Sequence, residues 1–276
     1  MTRRYALLLS LSGPVAAQTC SADQISECHE QNRTHPTTGR AQDPLLRWNP
    51  CPAFVGGPIL FQSKTFSGTA IWLGKQIKFR PDGDFFSALA GVDLDRIHGH
   101  YPLVVGGKTV QVTVKDHTYP SSRVTVPQKF VEPPREVQAQ IEEEIRIKRQ
   151  VFKSSAGERL WHGPFVAPAK ARYTSSFGSR RIYNGKILSV HQGLDYSALV
   201  GTGVTAANSG HVAIAGNFYF EGGFIVIDHG ESIFTLYMHL SELLVNQGTF
   251  INKGATIAKS GSSGRVTGAH LHFAMQ

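Results

Sequence analysis

Hydrophobic and polar residues alternate over short segments along most of this chain, and turn-forming residues separate the segments. Between residues 58 and 127, four such segments are rich in Val, Ile, Thr and aromatic residues, a composition typical of strands. They are residues 59–62, 69–79, 99–105 and 109–115. We therefore predict a small β-sandwich of immunoglobulin-like character over residues 58–127.

A charged segment follows this predicted sandwich. Pro133 and Pro134 precede a run over residues 135–154 that is dense in Glu, Gln, Arg and Lys. Proline in the first turn, acidic residues early and basic residues late all match the dipole of a helix. Glu144 and Lys148 also have the spacing of an ion pair on one helix face. We predict a mostly exposed connecting helix within a helical linker over residues 128–163.

Residues 164–276 return to a strand pattern. Short apolar segments alternate with glycine-rich turns, and only residues 241–245 leave room for a single helical turn. The predicted strands are residues 174–177, 203–206, 210–215, 222–228, 233–239 and 255–259. The expected fold class is therefore mainly β, with a C-terminal antiparallel sheet domain preceded by the sandwich and the connecting helix.

The N-terminus has the pattern of a secretory signal. Arg3 and Arg4 form a basic region, residues 5–11 are apolar, and residues 15–17 are small. These features predict a signal peptide over residues 1–17 and export to the periplasm or the extracellular space. No other segment of the sequence is a transmembrane candidate, since about 20 apolar residues are needed to span a bilayer.

Residues 18–57 form a predicted polar leader that contains all three cysteines of the chain, Cys20, Cys28 and Cys51. After export, one pair can form a disulfide and leave an odd thiol. The spacing does not choose the pair.

The net charge of the chain indicates what kind of partner to expect. The chain has 28 Lys and Arg against 20 Asp and Glu, a formal net charge of +8. Such a balance favours anionic partners, among them an acidic cell-wall polymer. The basic residues are scattered, and no aromatic and basic motif of an RNA-binding module is present, so nucleic acid is not the expected partner.

Five of the metal-capable or proton-transferring residues in the C-terminal block stand out as candidates. They are His191, Asp195, His239, His270 and His272. Zinc is bound by imidazole and carboxylate ligands. We expect Gly193 to let the backbone turn so that His191 and Asp195 converge, and alternation along a strand puts His270 and His272 on one face. If these histidines are incidental, His191, Asp195 and His272 will not converge in space.

Several longer motifs occur in a fixed order over residues 164–276. This block resembles the lysostaphin- and LytM-type zinc metallopeptidases, which cut peptides of peptidoglycan. The motifs that carry the resemblance are Ser175 to Arg180, His191 to Asp195, Gly201-Thr202, Ile225 to Gly230, Tyr237 to Leu240 and Gly264 to Phe273.

The resemblance implies the roles of the candidate residues. His191, Asp195 and His272 would be the ligands of one Zn²⁺. His239 and His270 would be an unligated pair, one acting as general base and the other stabilising the tetrahedral intermediate, and the sequence does not say which is which. His211 and His229 do not fall on catalytic positions of the family and are expected to be structural.

The resemblance also implies a function. The expected activity is that of a zinc-dependent endopeptidase acting on peptide cross-links or stems of peptidoglycan. The alternative is a non-catalytic relative that binds the wall or activates an amidase. Two departures from the family pattern are visible. Prolines near Leu199 and Gly203 are absent, which predicts a looser loop, and only four residues follow His272, which predicts a truncated domain or a short last strand.

Overall fold

The computed structural model describes residues 46–175, 177–185 and 187–276. These residues form two compact units, residues 46–118 and residues 119–276. Within the described ranges, no helix is both long enough and apolar enough to cross a membrane. The predicted signal peptide and most of the predicted polar leader lie outside the described residues, and so do Cys20 and Cys28. Cys51 is described, and it is disulfide-bonded.

The first unit is an eight-stranded sheet in the order β1-β3-β6-β5-β4-β7-β8-β2. Most pairs are antiparallel, and β2 runs parallel to β8. Buried Ile59, Phe61, Trp72 and Leu103 fill its core. The β class is confirmed, but an immunoglobulin-like character is not. The strands are β1 (Arg47–Asn49), β2 (Ala53–Phe54), β3 (Pro58–Ser63), β4 (Gly68–Trp72), β5 (Lys75–Asp82), β6 (Phe85–Gly91), β7 (Gly99–Val105) and β8 (Lys108–Lys115).

The second unit contains two sheets and one α-helix. The smaller sheet has the order β12-β11-β9, and the larger has the order β10-β13-β20-β17-β16-β15-β18, with β19 joining β17 to β14. Its strands are β9 (Ser121–Val124), β10 (Tyr173–Ser175), β11 (Arg180–Tyr183), β12 (Ile187–Val190), β13 (Leu194–Tyr196), β14 (Gly203–Thr205), β15 (Gly210–Phe218), β16 (Gly222–Asp228), β17 (Phe234–Leu243), β18 (Phe250–Ile251), β19 (Thr256–Ser260) and β20 (Leu271–Met275).

The antiparallel sheet predicted for the C-terminal block is confirmed. The predicted strand 222–228 matches β16, whereas the predicted helical turn at residues 241–245 is wrong because β17 continues to Leu243. The last strand, β20, pairs with β13 on one side and with β17 on the other. Beyond it, the main chains of Gln276 and Phe234 exchange two hydrogen bonds of 2.9 Å.

The helix is only partly the solvated spacer that the sequence predicts. Two short 3₁₀ turns, Gln128–Phe130 and Arg135–Val137, precede helix α1 (Gln138–Val151). One face of α1 is exposed, but Ile147 and Val151 pack on the sheet core formed by β15, β16, β17 and β20. The carboxylate of Glu144 accepts a hydrogen bond from the Tyr219 amide at 2.9 Å. Lys148 pairs with Glu221 and not with the expected Glu144.

The loop after β13 is expected to be loose because the family's prolines are missing. In the structure, the Gly201 amide donates to the Ser260 carbonyl at 2.8 Å, and the Thr202 hydroxyl donates to the Leu199 carbonyl at 2.8 Å. Ser260 donates to the same carbonyl at 2.5 Å. Hydrogen bonds thus hold this loop where the sequence lacks proline.

Candidate metal centre

Four neighbouring strands, β10, β13, β20 and β17, carry a row of side chains across the larger sheet. Ser175 is the register partner of Asp195, Asp195 is the partner of His272, and His272 is the partner of Met238. Direct cross-strand partners have Cβ atoms about 4.5–5.5 Å apart. Strand pairing therefore brings the carboxylate of Asp195 beside the imidazole of His272, although 77 residues separate them in sequence.

His191 reaches this row from the end of β12. Its amide donates to the Ser179 carbonyl at 2.8 Å, and its carbonyl accepts from the Gly178 amide at 2.8 Å. These two bonds join the segment after β12 to the turn before β11. The imidazole of His191 is thereby directed towards Asp195 and His272.

Three potential ligand atoms meet in the resulting cluster. His191 Nε2 lies 2.9 Å from Asp195 Oδ1 and 3.0 Å from His272 Nδ1, and His272 Nδ1 lies 2.9 Å from Asp195 Oδ1. The side chains are buried. The three residues form a candidate metal-binding group, which contradicts the reading in which they do not converge.

The distances fit a tetrahedrally coordinated cation. Bonds of about 2.0 Å at tetrahedral angles separate the ligand atoms by about 3.3 Å, close to the three separations in the cluster. Two imidazoles and one carboxylate would supply three ligands to such a cation, the number of protein ligands that catalytic zinc sites commonly use.

The surroundings of Asp195 and His272 shift the pKa values of these two residues downwards. Burial by itself raises the pKa of Asp195, but hydrogen bonds from His191 and His272 hold it well below its usual range. Burial lowers the pKa of His272 to about 4. An ionised carboxylate and a neutral imidazole are the forms that bind a cation.

Arg181 and Ser175 form hydrogen bonds with the side chains of Asp195 and His191. An Arg181 nitrogen donates to Asp195 Oδ2 at 2.5 Å and to Ser175 Oγ at 2.8 Å, while Ser175 Oγ lies 3.3 Å from His191 Nδ1. One guanidinium thus orients both the carboxylate and, through a hydroxyl, an imidazole. Nothing in the sequence pattern singles out Arg181, because its position depends on the β11–β12 hairpin folding back over β13.

His239 lies beside the cluster on an unusual backbone. It has a φ of 65°, in the left-handed region that non-glycine residues rarely adopt. Its Nδ1 donates to the Ser263 carbonyl at 2.9 Å. Since a carbonyl only accepts, Nδ1 carries the proton and Nε2 keeps its lone pair. Burial lowers the pKa of His239 to about 3, so the ring is neutral near pH 7.

His270 completes the group from the loop before β20. Its Nδ1 donates to the Gly268 carbonyl at 2.8 Å, and its Nε2 lies 3.7 Å from Asp195 Oδ1. The ring centroids of His239 and His270 are 4.8 Å apart. Both histidines therefore use Nδ1 to hold a main-chain carbonyl, and Nε2 of each ring is left for other partners.

Gly193 has a different role from the one that the sequence predicts. Its φ is not positive, so a turn that only glycine allows is not the reason for its presence. A Cβ at this position would lie 2.5 Å from His272 Nε2 and 2.4 Å from the Phe273 carbonyl oxygen. Glycine is needed because β20 passes so close.

The two histidines expected to be structural have partners elsewhere. His229 is fully buried, its Nδ1 donates to the Ser209 carbonyl at 2.7 Å, and its Nε2 accepts from the Thr235 hydroxyl at 2.7 Å. His211 packs edge-on against Phe250, with ring centroids 5.1 Å apart.

The larger sheet thus gathers two imidazoles and a carboxylate into a candidate metal centre, with two further imidazoles beside it. The family model for Peptidase family M23 matches residues 189–276, and this part of the chain is a domain of that family.

Several relatives share this domain. The chain is 38% identical over 110 residues to the peptidoglycan DD-endopeptidase ShyA of Vibrio cholerae, a match covering 40% of this chain and 26% of ShyA. It is 37% identical over 102 residues to the DD-carboxypeptidase/endopeptidase Mpg of Neisseria meningitidis, covering 37% of this chain and 24% of Mpg. The chain thus spans about a quarter of the length of these relatives.

A solved structure has the same fold. An M23 peptidase candidate from Pseudomonas aeruginosa superimposes with a TM-score of 0.60 over 81% of this chain and 90% of that one. At 21% identity, that likeness concerns the fold.

Proposed function

We propose that this protein is a zinc-dependent endopeptidase that hydrolyses peptide cross-links or stems of bacterial peptidoglycan. The observation that carries the proposal is the convergence of His191 Nε2, Asp195 Oδ1 and His272 Nδ1 within hydrogen-bond distance of one another. Membership of the domain in family M23 and the peptidoglycan endopeptidase names of relatives such as ShyA support it.

The three converging residues are the proposed ligands of one Zn²⁺. Zinc bound there would polarise the scissile carbonyl and lower the pKa of a water molecule from about 16 to about 7. Arg181 and Ser175 would hold the ligands Asp195 and His191 in place through hydrogen bonds to their side chains, as the hydrogen-bond partners of metal ligands generally do.

His239 and His270 are the proposed proton-handling pair. Their Nδ1 protons are committed to the carbonyls of Ser263 and Gly268, so only Nε2 of each ring is available to the substrate side. A neutral imidazole can accept a proton from the attacking water and deliver it to the leaving amine. One ring serves as general base, and the other, once protonated, stabilises negative charge that develops on the carbonyl oxygen.

The proposed place of action is the cell envelope. A signal peptide over residues 1–17 would export the chain, and the net charge of +8 would favour an anionic wall polymer. Relatives named for peptidoglycan substrates support the same compartment.

The test is digestion of purified peptidoglycan by the full chain after chelation and after zinc is restored. We expect new amine termini only with zinc, and none from His191→Ala at any zinc concentration. If wild type releases no amines with zinc present, the enzymatic proposal is wrong.

Metal content separates the enzyme from a non-catalytic wall-binding or amidase-activating relative. The enzyme should hold one equivalent of zinc after dialysis, and His191→Ala should not. A wild-type chain that binds peptidoglycan without stoichiometric zinc would favour the binding function.

A further inference from the structure

The candidate metal centre opens into a groove that has a second chemical feature. The cavity has a volume of about 550 Å³ and extends from the histidines to β11, to the turn between β15 and β16, and to the loop between β19 and β20. Arg265, in the loop between β19 and β20, also lines the groove and is not one of the proposed ligands.

Two arginines, Arg181 and Arg265, and two carboxylates, Asp195 and Glu221, line this groove. The carboxylate of Asp195 pairs with Arg181, and that of Glu221 pairs with Lys148. Within the described part of the chain, no carboxylate lies within ion-pair distance of the Arg265 guanidinium. Among the described residues, the Arg265 guanidinium therefore has no carboxylate partner.

Two aromatic rings hold this guanidinium. Its central carbon lies over the ring of Tyr183 at 4.9 Å and over the ring of Phe220 at 4.8 Å. Both rings belong to a packed cluster with Phe130 and Val126. Aromatic faces attract a guanidinium but cannot accept hydrogen bonds from its edge. The N–H donors stay available while the group is fixed.

The main chain ties Arg265 to the reacting centre. Its amide donates to the Phe220 carbonyl at 2.8 Å. Two residues earlier in the same loop, the Ser263 carbonyl accepts from His239 Nδ1 at 2.9 Å. Ser263 Oγ also accepts from the Gly223 amide at 2.9 Å. The loop that orients His239 therefore also fixes Arg265.

We propose that Arg265 is the anchor of a carboxylate-binding subsite, and that it recognises a carboxylate group of the peptide substrate next to the scissile bond. This inference rests on the proposed peptidase function. A guanidinium forms two parallel hydrogen bonds with a carboxylate, which fixes orientation as well as supplying energy. The subsite would thus align an acidic peptide between Arg265 and the cluster of His191, Asp195 and His272.

The experiment is a cycle of two peptides and two proteins. The peptides are cross-linked stem dimers that differ only in whether the carboxylates flanking the scissile bond are free acids or carboxamides. The proteins are the zinc-loaded full chain and its Arg265→Gln variant. We expect Arg265→Gln to lower kcat/KM on the acid peptide roughly 10- to 100-fold, as expected for loss of a charge-assisted hydrogen bond, and on the amide peptide less than about threefold.

Two further variants sharpen the result. Arg265→Lys keeps the charge without the paired donors, so it should recover only part of the loss on the acid peptide. Arg180→Gln removes an exposed arginine of β11 that does not line the groove, and should leave both rates unchanged. Zinc content and thermal unfolding of each variant show whether its site and fold are intact.

The outcomes separate this inference from the proposed function. Equal losses on both peptides would mean that Arg265 only supports the aromatic cluster, and would overturn the subsite. If Arg265→Gln does not fold, the wild-type preference decides, because a wild type that cleaves acid and amide equally well also overturns it. A wild type that cleaves neither peptide nor peptidoglycan contradicts the proposed function itself.

Discussion

Two buried polar clusters lie on the larger sheet, and they satisfy their polar atoms in opposite ways. Around His229, each donor meets an acceptor, because Nδ1 faces a carbonyl and Nε2 faces the Thr235 hydroxyl. Around Asp195, three potential metal-ligand atoms from different side chains face one another at 2.9–3.0 Å. The first arrangement is complete within the protein, and the second is built for a ligand.

The largest expected effect is the loss of zinc binding when one of the proposed ligands is removed. We expect His272→Ala to lose its zinc and all hydrolysis of peptidoglycan, because a catalytic zinc site commonly has three protein ligands and only two would remain. Metal analysis and amine release measure both effects. His229→Gln is the matched control and should keep its zinc. Retention of stoichiometric zinc by His272→Ala would show that His272 is not a ligand.

The next largest expected effect is a loss of stability when Gly193, which β20 approaches closely, is replaced by alanine. Gly193→Ala puts a methyl group about where His272 and the Phe273 carbonyl already lie, and overpacking of this kind costs about 3 kcal/mol of the free energy of unfolding. Urea denaturation measures the loss. Gly203→Ala, where a Cβ meets nothing within 4 Å, is the control and should change stability by less than about 0.5 kcal/mol. Equal effects would contradict the steric explanation.

Low pH should destabilise the protein through His229, which is buried in its neutral form. Burial lowers the pKa of His229 from 6.5 to about 4, so between those values the unfolded chain binds more protons than the folded one. The neutral ring contributes full stability above pH 6.5, and this contribution is lost as pH falls towards 4. From pH 7 to pH 5 the loss from this group is about 2 kcal/mol.

The pH dependence of His229→Gln tests that contribution. Unfolding free energies of the chelated wild type and variant are compared at both pH values, and contributions from other groups cancel in the difference. The variant should lose about 2 kcal/mol less than wild type. Identical pH dependence in the two proteins would rule out His229 as the source.

The smallest expected effect is a fall in zinc affinity when the hydrogen bonds that Arg181 donates to Asp195 and Ser175 are removed. Arg181→Met removes the donor to Asp195 Oδ2 and Ser175 Oγ but leaves the ligands in place, so zinc affinity should fall about tenfold. Competition with a chromophoric chelator measures this change independently of hydrolysis. Arg180→Met on the same strand should bind zinc as wild type does. Unchanged affinity in Arg181→Met would show that its contacts do not support the site.

Strand positions were predictable where alternation and turn residues agreed. The predicted strands 99–105 and 222–228 coincide with β7 and β16. The single predicted strand 69–79 is instead a hairpin, and the reason is visible at Leu73, which has a φ of 49° before Gly74 at 77°. Turns of this type favour Asn or Asp at the first position, so a leucine there gives no signal.

The sequence predicted those residues of the candidate site that belong to recognisable local motifs. His191, Asp195 and His272 stand out by residue type and by resemblance to a family. The contacts that orient them do not, because Arg181, Ser263 and Gly268 act through pairings and loops that only the folded chain brings together. The packing of α1 on the sheet was missed for the same reason, since its charged sequence hides the few apolar positions, such as Ile147 and Val151, that contact the core.

The left-handed backbone at His239 has a consequence for the evolution and engineering of this protein. Glycine adopts that conformation without strain, whereas histidine pays of order 1 kcal/mol or more. Libraries selected only for heat resistance should therefore accumulate replacements at position 239 that relax the main chain and discard the imidazole. Under the proposed role of His239 in proton transfer, stability and hydrolysis would compete at this one residue, and its retention in a library would mark selection for catalysis.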